Sequence, residues 1–376
     1  MHEEQRMILR MLEEGKITAE EAEALLTALG SKTDFSGSES QEDPWARLEK
    51  MGEDFASKVE VATERFSRSI EHSVGDKLNK LPKILARFPF LGYEESQEFT
   101  RVVRGKVGSG EVIPIDLSNI NGALRVQGWS EEEYQLTCVQ RLKGRDRDLL
   151  RSRLFSVPWD DDAEKTDFTL SVPHVSEGTI SLHLMVPEAR LYSVRLFSQN
   201  GSLRVENLKG TAVNVDTVNG SIRLHSVNAQ TIQGEGGNGS CEMEGVEAKM
   251  VRHALGNGSY RLSLSAAEVD LVTTNGSVNV RIADVVGDSR YRLRTTNGAI
   301  KVSVPPQVDL GLSLDLQTAV GRISTEVSAL EIARQERRGG GSVLTAHTVD
   351  YDSKADRLNL EASSTSGSIT LSAREA

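Results

Sequence analysis

Residues 213–224 read VNVDTVNGSIRL, and the same frame returns as VRLFSQNGSLRV at 194–205, VDLVTTNGSVNV at 269–280 and YRLRTTNGAIKV at 291–302. Each stretch is centred on Asn-Gly, a pair that favours turns because both residues tolerate positive φ. The pair falls at Asn200-Gly201, Asn219-Gly220, Asn238-Gly239 and Asn257-Gly258 in steps of 19 residues. It continues at Asn275-Gly276 and Asn297-Gly298 after steps of 18 and 22. A turn repeated at a nearly fixed period of this length marks a solenoid, one coil per repeat.

Aligning on Asn-Gly brings apolar residues into columns. Three positions after the Asn stand Leu203, Ile222, Cys241, Tyr260, Val278 and Ile300; five after stand Val205, Leu224, Met243, Leu262, Val280 and Val302. Four positions before stand Leu196, Val215, Gly234, His253, Leu271 and Leu293; six before stand Val194, Val213, Ile232, Val251, Val269 and Tyr291. Alternation on both sides of the turn predicts two main strands per coil, each with one face inward. The hydroxyl residues Ser198, Thr217, Thr273 and Thr295, two before the Asn, can hydrogen-bond along the axis. The expected fold is therefore mainly β, a single-chain β-helix with coils of about 19 residues.

The register extends beyond the clear repeats, to Asn121-Gly122 on one side and to Val320-Gly321 and Ser366-Gly367 on the other. The steps from 297 to 320 and 320 to 366 are 23 and 46 residues, which predicts one degenerate coil between 321 and 365, with a mobile loop at 335–342. The step from 121 to 200 holds an irregular opening section, 127–199, that can cap the first end of the solenoid.

Two helical parts precede the solenoid. Residues 1–30 read as a helical hairpin: Met7, Ile8, Met11 and Leu12 form one apolar stripe, and Thr18-Ala-Glu-Glu21 is a capping box before Ala22, Leu25, Leu26 and Leu29. Thirty residues are too few for a stable core, so the hairpin is expected to dimerise or dock, making a homo-oligomer one outcome. Residues 31–43 form a Ser-, Gly- and acid-rich linker. Residues 44–93 hold a long amphipathic helix whose apolar positions run from Trp45 to Leu81 at 3.6 residues per step and stop before Pro82. The solenoid then takes 94–376.

Composition narrows the function classes. Of 376 residues, 32 are Gly and only 5% are aromatic, which suits a thin β core. A net charge of −11 argues against wholesale nucleic-acid binding. Cys138 and Cys241 are too few for a disulfide framework. The N-terminal MHEEQRMILRM lacks the pattern of a secretory signal, and no stretch approaches 18 apolar residues, so the expectation is a cytoplasmic protein, peripheral if it meets a membrane at all.

Catalysis finds little support. The seven histidines are scattered, and His253 and Cys241 fall in inward columns, where packing explains them. No Cys or His pair has zinc-ligand spacing, Asp160-Asp161-Asp162 lacks the calcium-loop frame, and GEGGNGS at 234–240 lacks the Lys-Ser/Thr of a phosphate loop. No cofactor is expected. The five Asn-Gly-Ser sequons follow from turn geometry.

Two features point to contact with an anion. Four positions after the turn Asn stand Arg125, Arg204, Arg223, Glu242, Arg261, Asn279 and Lys301, so five of seven outward residues are basic. Stacked about 5 Å apart they repel one another unless neutralised. Acids in neighbouring columns, such as Glu206 and Glu244, are one answer; an anionic lipid, an envelope polymer or an acidic protein face is the other. The second feature is the end of the long helix, where Lys77, Lys80, Lys83 and Arg87 lie among apolar residues including Phe88 and Phe90. Such a segment can lie on an anionic membrane or pack on a partner helix.

The motif T-x-N-G-S-[IVL]-x-[VL], present as TVNGSIRL, TTNGSVNV and TTNGAIKV, and the N-terminal EEGKITAEEAEALLTAL (13–29) resemble a bacterial family of adhesin-like β-solenoid proteins that includes YvlB and LiaX. GWSEEEYQLTCVQRLKG (128–144) also looks like that family's opening hairpin. The resemblance implies association with the cell envelope and its stress response, with protein partners in that signalling, and implies no enzyme activity. The resulting expectation is a non-enzymatic scaffold or sensor-regulator. A carbohydrate-active β-helix enzyme, which needs carboxylates gathered in one groove, and a self-assembling filament are the other readings.

Overall fold

The computed structural model describes residues 96–175, 178–305 and 310–373. The helical hairpin, the linker and the long helix expected at 1–93 therefore lie outside the described residues, as do Lys77, Lys80, Lys83, Arg87, Phe88 and Phe90.

The centre of the molecule is a run of long strands: β7 (Leu191–Asn200), β8 (Leu203–Asn219), β9 (Ile222–Asn238), β10 (Cys241–Asn257) and β11 (Tyr260–Asn275). Each pairs with the next in parallel, and the turn asparagines stay in register from row to row. The next row is split between β12 (Val278–Ile282) and β13 (Asp288–Asn297), and β14 (Ile300–Val304) follows on β12.

The expectation of two strands per coil misses an arm. In β8 the buried residues are Leu203 and Val205, then Leu208 and Gly210, then Val213, Val215 and Thr217. Alternation slips by one at two places, so each regular coil has three inward-facing arms. The first slip has a physical marker: Asn207, Ser226 and Gly245, seven residues after successive turn asparagines, lie at φ 52°, 52° and 61°. In the next coil that residue is missing. Glu244 pairs with Ser263 and Val246 with Leu264, and alternation runs unbroken from Tyr260 through Ala266. Loss of this single corner residue is why the step from Asn257 to Asn275 is 18 rather than 19.

The Asn-Gly corner works differently from the usual turn. Gly201, Gly220, Gly258, Gly276 and Gly298 do not have φ in the left-handed region. They are glycines because a Cβ on each would lie only 1.7–2.0 Å from the carbonyl oxygen of the turn glycine one row below. The N–H of Gly220, Gly239, Gly258 and Gly276 donates to the Asn carbonyl one row above at 2.9–3.0 Å. Beside them the asparagine side chains form an amide ladder from Asn121 to Asn297, each Nδ2 donating to the Oδ1 below at 2.7–3.0 Å. The hydroxyls of Ser198, Thr217, Thr273 and Thr295 donate to the turn glycine carbonyl one row below, at 2.9–3.4 Å, which realises the expected axial bonding.

The chain order of the last coils is not their order in space. The row built from β15 (Leu310–Val320) and β16 (Ile323–Thr325) does not stack on the Asn297 row. The C-terminal strands β19 (Asp356–Ser366) and β20 (Ile369–Ala373) lie between them: β19 pairs with β13 and β15, and β20 with β14 and β16. The degenerate coil expected between 321 and 365 is absent. Residues there form a hairpin of β17 (Leu330–Arg338) and β18 (Gly341–Thr348), with β18 antiparallel to β15. The segment 335–342, expected as a mobile loop, is the tip of that hairpin, and it seats on the last turn: Gly321 N–H donates to Gly340 O, and Ser342 Oγ to Gly321 O. The hairpin thus covers an edge that a further coil would leave open.

The first end is closed in the same manner. β2 (Ile113–Asn121) and β3 (Leu124–Trp129) stack directly on the Asn200 row, 79 residues ahead in sequence. β5 (Phe168–Ser171) and β6 (Gly178–Pro187) form the row beyond them. β4 (Glu133–Lys143) then pairs antiparallel with β6, and β1 (Ser96–Lys106) antiparallel with β4. A short helix α1 (Arg147–Arg151), capped by the Asp146 carboxylate, links β4 to a loop whose Trp159 packs with Tyr134 and Phe168.

Candidate functional site

The outward residues of the first arm after each Asn-Gly stand in two adjacent columns. The first runs Arg125, Arg204, Arg223, Glu242, Arg261, Asn279, Lys301, Thr370 in spatial order. The second, two residues further along each row, runs Gln127, Glu206, His225, Glu244, Ser263, Arg281, Ser303, Ser372. The first column is the basic stripe expected from the sequence, and the in-register pairing brings its members side by side.

Carboxylates neutralise much of it. Arg125 grips Glu206 through both Nε and Nη2, the Nε bond being 3.0 Å, and Arg204 Nη1 lies 3.5 Å from the other oxygen of the same carboxylate. Glu242 serves Arg223 at 3.4 Å and Arg261 at 3.6 Å. Glu206 fulfils the neutralising role expected of it. Glu244 does not: it faces His225 at 3.4 Å, and Glu242, inside the stripe, takes its place. Exposed pairs of this kind are each worth at most about 1 kcal/mol, so their main effect is to cancel charge.

Beyond Arg261 the compensation stops. The side chain of Lys301 has no ion-pair or hydrogen-bond partner among the described residues, and neither does that of Arg281. These two cations and the exposed guanidinium of Arg261 border a cleft of about 450 Å³ that Glu242 and Glu244 also line, together with Ser263, Asn279, Ser303, Thr370 and Ser372. Arg281 was not in the expected stripe because it belongs to the second column. Reading positions six after the turn Asn, as well as four after, would have found it.

The other residues weighed as chemical candidates are structural. Cys241 is fully buried, and burial pushes its thiol far above the usual range; Cys138 is buried and pushed up to about 11. His253 lies one row above Gly234, where a Cβ would come within 3.1 Å of its ring. Its Nδ1 is 3.1 Å from the Tyr260 hydroxyl, and burial lowers its pKa to about 4, so the imidazole is neutral. Asp162 adopts φ 62° and its N–H bonds Arg104 O, a turn over Tyr134. Among the described residues no group of three or more His, Cys, Asp or Glu is gathered in metal-binding fashion, and no helix is long and apolar enough to cross a membrane.

Comparison with known proteins identifies the family. Residues 113–353 match the family described as Toastrack DUF4097, and residues 3–34 match the SHOCT-like domain. The protein named Uncharacterized protein YvlB, from Bacillus subtilis (strain 168), is 30% identical over 341 residues, which is 89% of this chain and 90% of that one. Among solved structures, a candidate cell adhesion protein from Clostridium sporogenes covers 74% of this chain and 100% of its own at 10% identity, with a TM-score of 0.22. With more than half its length matched by one family and a 30% identical relative along nearly all of it, the chain belongs to the Toastrack DUF4097 family.

Proposed function

We propose that this protein is a non-enzymatic scaffold or sensor-regulator of the bacterial cell-envelope stress response, located in the cytoplasm or peripherally at the membrane. It acts by protein–protein contact and by contact with anionic groups such as lipid headgroups. The N-terminal module and the amphipathic helix supply attachment or oligomerisation, and the solenoid supplies a rigid surface. The observation that carries this reading is the register of the outward columns. Parallel rows about 4.8 Å apart hold charged side chains at fixed intervals along a face too stiff to rearrange, which favours recognition of a partner over turnover of a substrate. The match of residues 3–34 to a SHOCT-like domain supports a separate N-terminal interaction module.

Crosslinking pull-down of the full chain from membrane-stressed bacteria tests the reading. Enrichment of envelope-stress signalling proteins over unstressed cells is the expected result. Recovery of soluble metabolic enzymes alone would sink it.

A further inference from the structure

All seven Asn-Gly pairs of the chain fall on one corner of the stack, and this dipeptide is open to a spontaneous reaction. The Gly nitrogen gives up its proton to solvent base and attacks Cγ of the preceding Asn. The N–Cγ bond forms, the Cγ–Nδ2 bond breaks, and the side-chain nitrogen leaves as ammonia with a proton from solvent. Water then opens the succinimide at either carbonyl, giving Asp or isoaspartate. Gly permits the attack because no side chain shields its nitrogen and its backbone is the least restricted. Six of the seven asparagines are exposed and Asn121 is half-buried, so burial does not keep solvent away. Hydrogen bonds hold the reacting atoms instead. The N–H groups of Gly122, Gly220, Gly239, Gly258, Gly276 and Gly298 donate to the carbonyl one row above at 2.9–3.1 Å. In the remaining pair, Asn200-Gly201, the Asn side chain is held on both sides, by Asn121 and by Asn219, at 3.0 Å each. The other ladder amides are tied to a neighbour at 2.7–3.0 Å.

We infer that the seven asparagines are latent deamidation sites, locked while the stack is intact and released when its rows part, and that their conversion prevents the stack from re-forming. Three points carry the second half. A carboxylate only accepts, so each converted residue loses the Nδ2 donor that ties it to the row below. Conversion in neighbouring rows sets like charges about 4.8 Å apart, directly opposite one another. Isoaspartate runs the main chain through the side-chain carbon and adds one backbone atom to the corner. That corner has no room for it: a Cβ on any of the seven turn glycines would lie 1.7–2.1 Å from a carbonyl oxygen of the adjoining row. The same ladder that orders the coils therefore makes prolonged unfolding irreversible. This inference is independent of which partner the outward columns meet.

Peptide mapping by mass spectrometry after incubation at mildly alkaline pH tests the inference, on the full-length protein folded in buffer and unfolded in guanidinium chloride. The peptide VNVDTVNGSIRL, residues 213–224, gives the unrestrained rate in each solution. The unfolded chain is expected to convert at the peptide's rate. The folded protein is expected to convert at least tenfold more slowly at all seven sites, because two or more hydrogen bonds must break at each. After removal of denaturant, chains converted in two neighbouring rows are expected to show a folded-to-unfolded ratio at least tenfold lower by far-UV circular dichroism. Asn257→Ser tests the ladder within the folded state. It uses the residue that already fills this column at Ser366, and it frees the amides of Asn238 and Asn275 on either side. Conversion should rise at those two sites and stay unchanged at Asn121 and Asn200. Equal rates in folded protein and peptide, no rise at Asn238 and Asn275, or full refolding of converted chains would overturn the inference.

Discussion

Replacing Gly258 by Ala separates two explanations of the Asn-Gly corner. If the glycine served only to supply an unusual backbone conformation, Ala would be tolerated, because Gly258 does not have φ in the left-handed region. Gly-to-Ala at a compatible position stabilises by about 0.4–1 kcal/mol through the unfolded chain. The axial packing predicts the opposite sign. A Cβ on Gly258 would lie 1.7 Å from the Gly239 carbonyl oxygen, a backbone atom that moves only if two rows part. Parting the rows strains the bond from Gly239 N–H to Asn257 O at 3.0 Å and the Asn257–Asn238 amide bond at 3.0 Å. Overpacking costs about 1–3 kcal/mol, and two weakened hydrogen bonds add about 1 kcal/mol each. The expected loss is about 3–5 kcal/mol, a large share of a typical domain's stability of about 5–15 kcal/mol. Urea denaturation of the full chain, followed by far-UV circular dichroism, measures it. Gly340→Ala is the control, because a Cβ there meets nothing within 4 Å, and its effect is expected within about 0.5 kcal/mol of zero. A Gly258→Ala protein as stable as wild type, or more stable, would refute the stacking argument.

The remaining predictions concern the core and the ends. His253 has a folded pKa lowered to about 4 by burial. Its neutral form therefore contributes stability that is complete above the unfolded value of about 6.5 and is lost as pH falls toward 4. Over that window stability should fall by up to about 1.4 kcal/mol per pH unit, and this part of the slope should vanish in His253→Gln, as read from denaturation midpoints. Cys138 and Cys241 should react with a thiol reagent only after unfolding, because burial holds both as thiols. Replacing the β17–β18 hairpin by a short Gly-Ser link should bare the edge of β15 and shift the protein to higher oligomers, read by size-exclusion chromatography with light scattering.

The candidate site was half legible. Arg125, Arg204, Arg223, Arg261 and Lys301 follow from counting four residues past each turn, and the pairing register places them in one column. What counting could not supply is which of them is compensated. Glu206 serves both Arg125 and Arg204, and Glu242 serves both Arg223 and Arg261, because a carboxylate reaches across rows as well as along its own strand. Arg281 escaped because charge in the neighbouring column matters as much as charge in the same one.

Inward and outward positions were decided by the sequence itself. The period-two alternation around Asn-Gly is a property of each coil alone, and the columns at −6, +3 and +5 are buried throughout the regular rows. The third arm is written there too, as a slip in alternation at Asn207, Ser226 and Gly245. Axial order belongs to the tertiary structure alone. Rows headed by Asn297, Val320 and Ser366 carry the same inward pattern, so nothing local distinguishes which is innermost. That choice falls to the β17–β18 hairpin, which covers the last open edge, and it places β19 and β20 inside the stack. One consequence reaches the site: Thr370 and Ser372 line the cleft beside Lys301 only because β20 is threaded between β14 and β16.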